Sequence, residues 1–131
     1  MMQMLHVMTK HPETVRSGDM LLKAKEMMDA GKFRRLPVVD EGRVVGILTE
    51  RDLREHAGYL DSTKVDAAMK APVVSVDSKT SVEEAARLML VHKIGGLPVV
   101  DGGKLVGVVT SSDMLRAFLN VVEATQKIVE H

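Results

Sequence analysis

A gapless internal repeat constrains this chain more than any other feature. Leu36-Pro37-Val38-Val39-Asp40-Glu41-Gly42-Arg43-Val44-Val45-Gly46-Ile47-Leu48-Thr49 returns as Leu97-Pro98-Val99-Val100-Asp101-Gly102-Gly103-Lys104-Leu105-Val106-Gly107-Val108-Val109-Thr110, 61 residues later. The same offset relates Met8 to Met69, Val15 to Val76, Ala24 to Ala85, Met28 to Met89, Lys32 to Lys93 and Asp52 to Asp113. A match of that length and register predicts two copies of one structural unit. The units cover residues 4–58 and 65–120, with a short link around Gly58 to Ser62 and a C-terminal helical extension over 121–131.

Each copy reads as strand, helix, strand, strand, helix. An extended piece comes first, Glu13 to Arg16 and Val73 to Val76, the second rich in β-branched residues. In the second copy Ser81-Val82-Glu83-Glu84 is a capping-box signature, and Val82, Ala85, Ala86 and Met89 recur at helical spacing. Leu21, Ala24, Met27 and Met28 form the corresponding stripe in the first copy, where Gly31 suits the position just past the helix end. Two strands follow around Asp40-Glu41-Gly42-Arg43 and Asp101-Gly102-Gly103-Lys104, with Pro37 and Pro98 expected at a strand's first position. A second helix starts after Thr49 and after Thr110. Units of about 55 residues are marginal alone, so the two are expected to pack sheet against sheet. That arrangement places a pseudo-twofold axis between them and creates two equivalent clefts.

Charge and composition narrow the function classes. Eighteen basic side chains balance eighteen acidic ones, which leaves no net field for nucleic acid or acidic lipid. One Tyr, two Phe and no Trp supply little for base stacking. With no cysteine there is neither a disulfide nor a thiolate metal site nor a cysteine nucleophile. The five histidines (His6, His11, His56, His92 and His131) show no i, i+4 pair, so no metal site is expected. No stretch approaches the ~20 apolar residues of a membrane span, and no signal-peptide pattern opens the chain. A cytoplasmic protein without membrane or nucleic-acid partner is the expectation.

The tract Leu-Pro-Val-Val-Asp, then Gly, two apolar residues and Thr-x-x-Asp, occurring twice at this spacing, closely resembles the cystathionine-β-synthase (CBS) domain. A tandem pair of these is often called a Bateman module, and the likeness covers all but the last dozen residues. The resemblance implies an α+β fold of two β-α-β-β-α units packed sheet to sheet. It also implies a non-catalytic regulatory module that binds an adenosine-containing ligand (AMP, ADP, ATP, NAD or S-adenosylmethionine) and signals to a partner protein. By resemblance Asp52 and Asp113 accept hydrogen bonds from the ribose hydroxyls, while Thr49 and Thr110, with Ser112 beside the second, lie near ribose and phosphate at a helix start. The adenine would lie against Phe33 to Leu36 with Thr14 and Val15, and against Ile94, Gly95, Gly96 and Leu97 with Ser75 and Val76. Each cleft would draw on both copies. The physics is coherent, since a carboxylate accepts two hydroxyls at once and a helix N-terminus attracts phosphate.

Plain structural readings stand beside these. Thr-x-x-Asp can be a shortened capping box. Gly46 and Gly107 read best as close approaches of another backbone. Arg34 and Arg35 replace Gly95 and Gly96, either as a solvated pair or as a phosphate fork. The ten methionines fall mainly on apolar faces and read as core filling. Ser111 and Ser112 near Asp113 and His92 lack a nucleophile elbow, so no catalytic residue or catalytic cofactor is expected. The helix from Ser112 to Val129 carries Leu115, Phe118, Leu119, Val122 and Val129 on or near one face. It serves either internal packing or a homodimer contact. The alternative to ligand sensing is a ligand-free structural or dimerisation module. A fragment of a CBS-containing enzyme such as inosine-monophosphate dehydrogenase is the third reading, disfavoured because the repeats leave no room for a barrel.

Overall fold

The computed structural model describes residues 2–130. Helix α1 is Met4–Val7 and strand β1 is Thr9–Lys10. The first repeat then gives α2 (Leu21–Gly31), β2 (Arg35–Asp40), β3 (Arg43–Thr49) and α3 (Glu50–Glu55). A 3-10 turn at Val65–Ala67 leads into the second repeat, with α4 (Val82–His92), β4 (Gly96–Asp101), β5 (Lys104–Thr110) and α5 (Ser111–Glu130). The result is α+β, as the repeat pattern predicts. No helix is long and apolar enough to cross a membrane among the described residues.

In the first repeat β2 and β3 form an antiparallel hairpin with Asp40 opposite Arg43, and both turn residues have positive φ, 50° at Glu41 and 80° at Gly42. Such a two-residue turn matches the twist of its strands. Gly102 and Gly103 repeat it at 56° and 82°. The extended pieces before the helices are single parallel bridges, Val15 to Val38 and Val76 to Val99. Pro37 and Pro98 are the third residues of β2 and β4, not the first. Their missing N–H costs nothing, because Val15 N–H donates to the Pro37 carbonyl and Val39 N–H donates to the Val15 carbonyl.

Gly31 is the last residue of α2 rather than the residue beyond it. The left-handed residue after each helix is a lysine, Lys32 at φ 55° and Lys93 at φ 54°. Gly31 has a different cause: a Cβ there would run into the Phe33 ring. Helix α4 starts with the expected cap, Glu84 N–H donating to Ser81 Oγ at 3.1 Å, whereas Met20 caps α2 with no side-chain bond.

Packing divides the chain into two compact units whose ends do not follow the repeats. A first-repeat unit comprises His11–Val74 with Asp101–Leu105. A second-repeat unit comprises the N-terminal segment through Lys10, Ser75–Val100 and the chain from Val106 onward. The segment before the first repeat therefore belongs with the second. Met4 N–H donates to Thr80 O, Val82 N–H donates to Met2 O, and β1 pairs with β5, giving the sheet order β1-β5-β4. The link performs the same service for the first repeat: Val65 N–H donates to Asp19 O, Leu21 N–H to Thr63 O, and Lys70 bridges Ile47. Met4 and Val65 occupy the same repeat position, and both are fully buried. The first-repeat core gathers Val15, Leu21, Ala24, Met28, Leu36, Val38, Leu48, Leu53, Val65 and Ala68.

Candidate functional site

Thr49 ends β3 and caps α3. Thr49 N–H and Oγ1–H both donate to Asp52 Oδ2, at 2.9 and 3.0 Å, and Asp52 N–H donates back to Thr49 Oγ1 at 3.3 Å. The second repeat reproduces this with Thr110 and Asp113, at 2.9, 3.0 and 3.2 Å. The capping-box reading of Thr-x-x-Asp is thus a structural fact in both copies. Asp52 and Asp113 are the two buried polar or charged residues among those described, 1% and 8% exposed. The reciprocal bonds make that burial tolerable, since a buried carboxylate without partners is costly.

The second carboxylate oxygen has a different environment. In the first repeat Lys70 Nζ lies 3.2 Å from Asp52 Oδ1, and in the second Arg116 Nη1 lies 3.2 Å from Asp113 Oδ1. Both cationic side chains are about 70% exposed, so neither pair is a sealed core contact. Sequence reasoning missed both residues. The repeat register aligns Lys70 with Thr9 and Arg116 with Glu55, so periodicity flags neither. Lys70 reaches Asp52 because its backbone is bonded to Ile47, two residues before Thr49. Arg116 could have been read as an i, i+3 helix pair with Asp113.

The remaining candidates fall into two groups, one per unit. Thr14, Val15, Arg34, Arg35, Thr49 and Asp52 lie in the first-repeat unit; Ser75, Val76, Ile94, Gly95, Gly96, Leu97, Thr110, Ser112 and Asp113 lie in the second. In both, the backbone before the hairpin is tied to the helix start, Glu50 N–H donating to Arg34 O and Ser111 N–H to Gly95 O. Thr14 and Ser75 are exposed, while Val15, Val76, Gly96 and Leu97 are buried and can offer only backbone. Thr14 and Val15 also line an open cavity of about 720 Å³ with Arg16, Asp40 and Gly42.

Arg34 and Arg35 part company. Arg34 is exposed and lies 3.9 Å from Glu50. Arg35 is half-buried, sits opposite Thr49 in the hairpin and makes no ion pair among the described residues. Burial, and then the adjacent Arg34 charge, pull its pKa below the ordinary arginine value. An unpaired guanidinium beside the capping box is equipped to meet an anion. Among the described residues no three His, Asp or Glu side chains converge as metal ligands, and His131 lies outside them.

Gly46 and Gly107 are close approaches. A Cβ on Gly46 would lie 2.5 Å from Met69 Sδ and 3.1 Å from Lys70 O. One on Gly107 would lie 2.7 Å from Met8 Sδ and 2.8 Å from Thr9 O.

Two α+β repeats, each ending its hairpin in a Thr-x-x-Asp box with a buried aspartate, define a tandem-repeat α+β architecture. The CBS domain family matches residues 5–59 and 65–120, and the chain belongs to that family. A CBS domain-containing protein of Dictyostelium discoideum is 37% identical over 132 residues, covering 89% of this chain and 91% of the relative. The structure of CBSX2 in complex with AMP has a TM-score of 0.84 at 30% identity, covering 92% of this chain and 98% of that one. The CBS domain pair of MJ0100, in complex with 5′-methylthioadenosine and S-adenosyl-L-methionine, has a TM-score of 0.83 at 29% identity, covering 90% and 96%.

Proposed function

We propose that this CBS pair is a non-catalytic regulatory module that binds an adenosine-containing ligand and passes its occupancy to a partner protein. The observation that carries the reading is the twinned buried carboxylate. Oδ2 of each aspartate is committed to its threonine, while Oδ1 meets only an exposed, displaceable cation. Oδ1 is thereby suited to accept ribose hydroxyls, in charge-assisted bonds of about 1.5–3 kcal/mol each. Thr49, Thr110 and Ser112 stand beside ribose in this reading. The backbone of Val15, Val76, Ile94, Gly95, Gly96 and Leu97, with Thr14 and Ser75, meets adenine. Arg35, aided by Arg34, takes phosphate. Similarity to pairs that hold AMP, 5′-methylthioadenosine and S-adenosyl-L-methionine supports the ligand class.

A ligand-free interaction module is the second reading. What favours it is that the capping boxes alone account for the buried aspartates.

Thermal unfolding with and without AMP, ATP, S-adenosylmethionine and adenosine separates the two. A ligand at a hundred times its Kd adds about 2.7 kcal/mol, a melting shift of roughly 10 °C for a chain of this size. Asp52→Ala and Asp113→Ala should each remove part of the increment, and together nearly all of it. Arg35→Gly should weaken ATP more than adenosine, because only the first repeat carries arginine there. A full increment in the double aspartate variant would overturn the ribose assignment. No shift with any adenosine compound would hand the protein to the second reading.

A further inference from the structure

An open cavity of about 420 Å³ lies in the first-repeat unit, between α2, α3 and the turn that joins α2 to β2. That volume falls within the range of small-molecule sites. It shares no residue with the cavity beside Thr14 and Val15. Its floor is apolar. Met28 and Leu53 belong to the buried core, and Phe33 and Leu60, partly buried, pack against that core. The Phe33 ring fills the space that a Cβ on Gly31 would take, so the aromatic wall depends on that glycine.

The rim is charged, and its charges do not cancel. Lys25, Lys32, Arg34 and Arg54 stand against two carboxylates, Asp29 and Glu50. Asp29 is taken by Lys25 at 2.8 Å. Glu50 is shared by Arg34 at 3.9 Å and Arg54 at 3.5 Å, too far for either guanidinium to make a good hydrogen bond. Lys32 makes no ion pair among the described residues. Four cations against two anions leave a local excess of positive charge and unspent guanidinium donors, in a chain whose net charge is zero.

The sister repeat shows that the fold does not require this arrangement. At the same repeat positions Lys25 becomes Ala86, Asp29 becomes Leu90, Arg34 becomes Gly95, Glu50 becomes Ser111, Arg54 becomes Leu115 and Ala57 becomes Phe118. Gly31 and Phe33 become His92 and Ile94. The second repeat nevertheless builds the same helix, hairpin and helix.

We infer that this cavity binds a short-chain carboxylate, its alkyl body on Met28, Phe33, Leu53 and Leu60 and its charged end at Arg34 and Arg54. The inference goes beyond the adenosine reading and rests on neither Asp52 nor Asp113. An apolar floor selects an apolar body, and the excess positive charge at the rim disfavours a cationic end. The planar guanidinium fork matches a carboxylate. A singly charged carboxylate also suits this rim better than a phosphate dianion, which Asp29 and Glu50 would repel more strongly.

Sodium octanoate, titrated calorimetrically into the full chain without nucleotide, should bind once per chain. Octylammonium chloride, with the same alkyl body and the opposite charge, should bind roughly tenfold more weakly or not at all. Arg54→Leu installs the sister residue at an exposed position and should weaken octanoate about tenfold, the loss of one charge-assisted hydrogen bond. Ala57→Phe should plug the cavity and remove binding, with thermal unfolding checking that the variant folds. If it does not fold, Arg54→Leu on the helix surface still decides. The chain has two phenylalanines, so nuclear Overhauser contacts locate the ligand: octanoate should touch Phe33 and not Phe118 on the exposed face of α5. No octanoate binding, equal binding of octylammonium, or contacts to Phe118 as strong as those to Phe33 would each overturn the proposal.

Discussion

Gly46 and Gly107 occupy a place in each repeat where a neighbouring segment comes too close for a side chain. Gly46→Ala would drive a methyl group against Met69 and the Lys70 carbonyl. The backbone oxygen cannot rotate away as the thioether can. Overpacking of this kind costs about 1–3 kcal/mol, so the variant should melt several degrees lower. Scanning calorimetry of Gly46→Ala beside Gly18→Ala provides the contrast, because a Cβ on Gly18 meets nothing within 4 Å. An equal loss in both would refute the close-approach account. The glycines were legible in sequence because they interrupt otherwise apolar strands. Lys70, which comes with the crossing segment and also meets Asp52, was not.

At the level of the element, the repeats build the same parts with unequal finish. Helix α4 has its Ser81 cap and acidic residues in the first turn; α2 starts at Met20 with neither. An N-cap hydroxyl is worth about 0.5–2 kcal/mol, so Met20→Ser should stabilise the protein and raise its melting temperature by a few degrees. Ser81→Ala should lower it by a similar amount. If Met20→Ser is neutral, the backbone pairing of Met20 with Lys64 already satisfies that helix start. Hairpin turns and helical stripes were readable because both follow local rules, positive φ in the turn and a 3.6-residue period. The helix C-termini were less so. Gly31 looked like the left-handed residue, yet Lys32 takes that conformation, as Lys93 does in the second repeat, and Gly31 instead leaves space for the Phe33 ring.

At the scale of the whole molecule, the segments ahead of each repeat are exchanged between the compact units. Met4 and Val65 are the buried anchors of that exchange. Met4→Ala should cost about 2–5 kcal/mol, as expected for truncating a fully buried side chain, although it lies near the chain's start. Hydrogen exchange after that substitution should speed up first at Val82, whose N–H donates to Met2 O, and at Leu5, whose N–H donates to Ser78 O. Exchange rising first in Leu21 to Met28 instead would mean that the segment supports the other repeat.

The sequence by itself determined the two copies, the order of their elements, the hairpin turns and the twin Thr-x-x-Asp boxes. Each of these rests on residues close together in the chain, where spacing and turn chemistry leave few choices. Only the tertiary structure decided which cation meets each buried carboxylate, which of two neighbouring arginines goes unpaired, and where the leading segments pack. Those depend on contacts between residues far apart in sequence, such as Met4 with Thr80 and Lys70 with Ile47. A repeat makes both copies compatible with the same partners, so periodicity cannot choose between them; the backbone bonds of Met4 to Thr80 and of Val65 to Asp19 do.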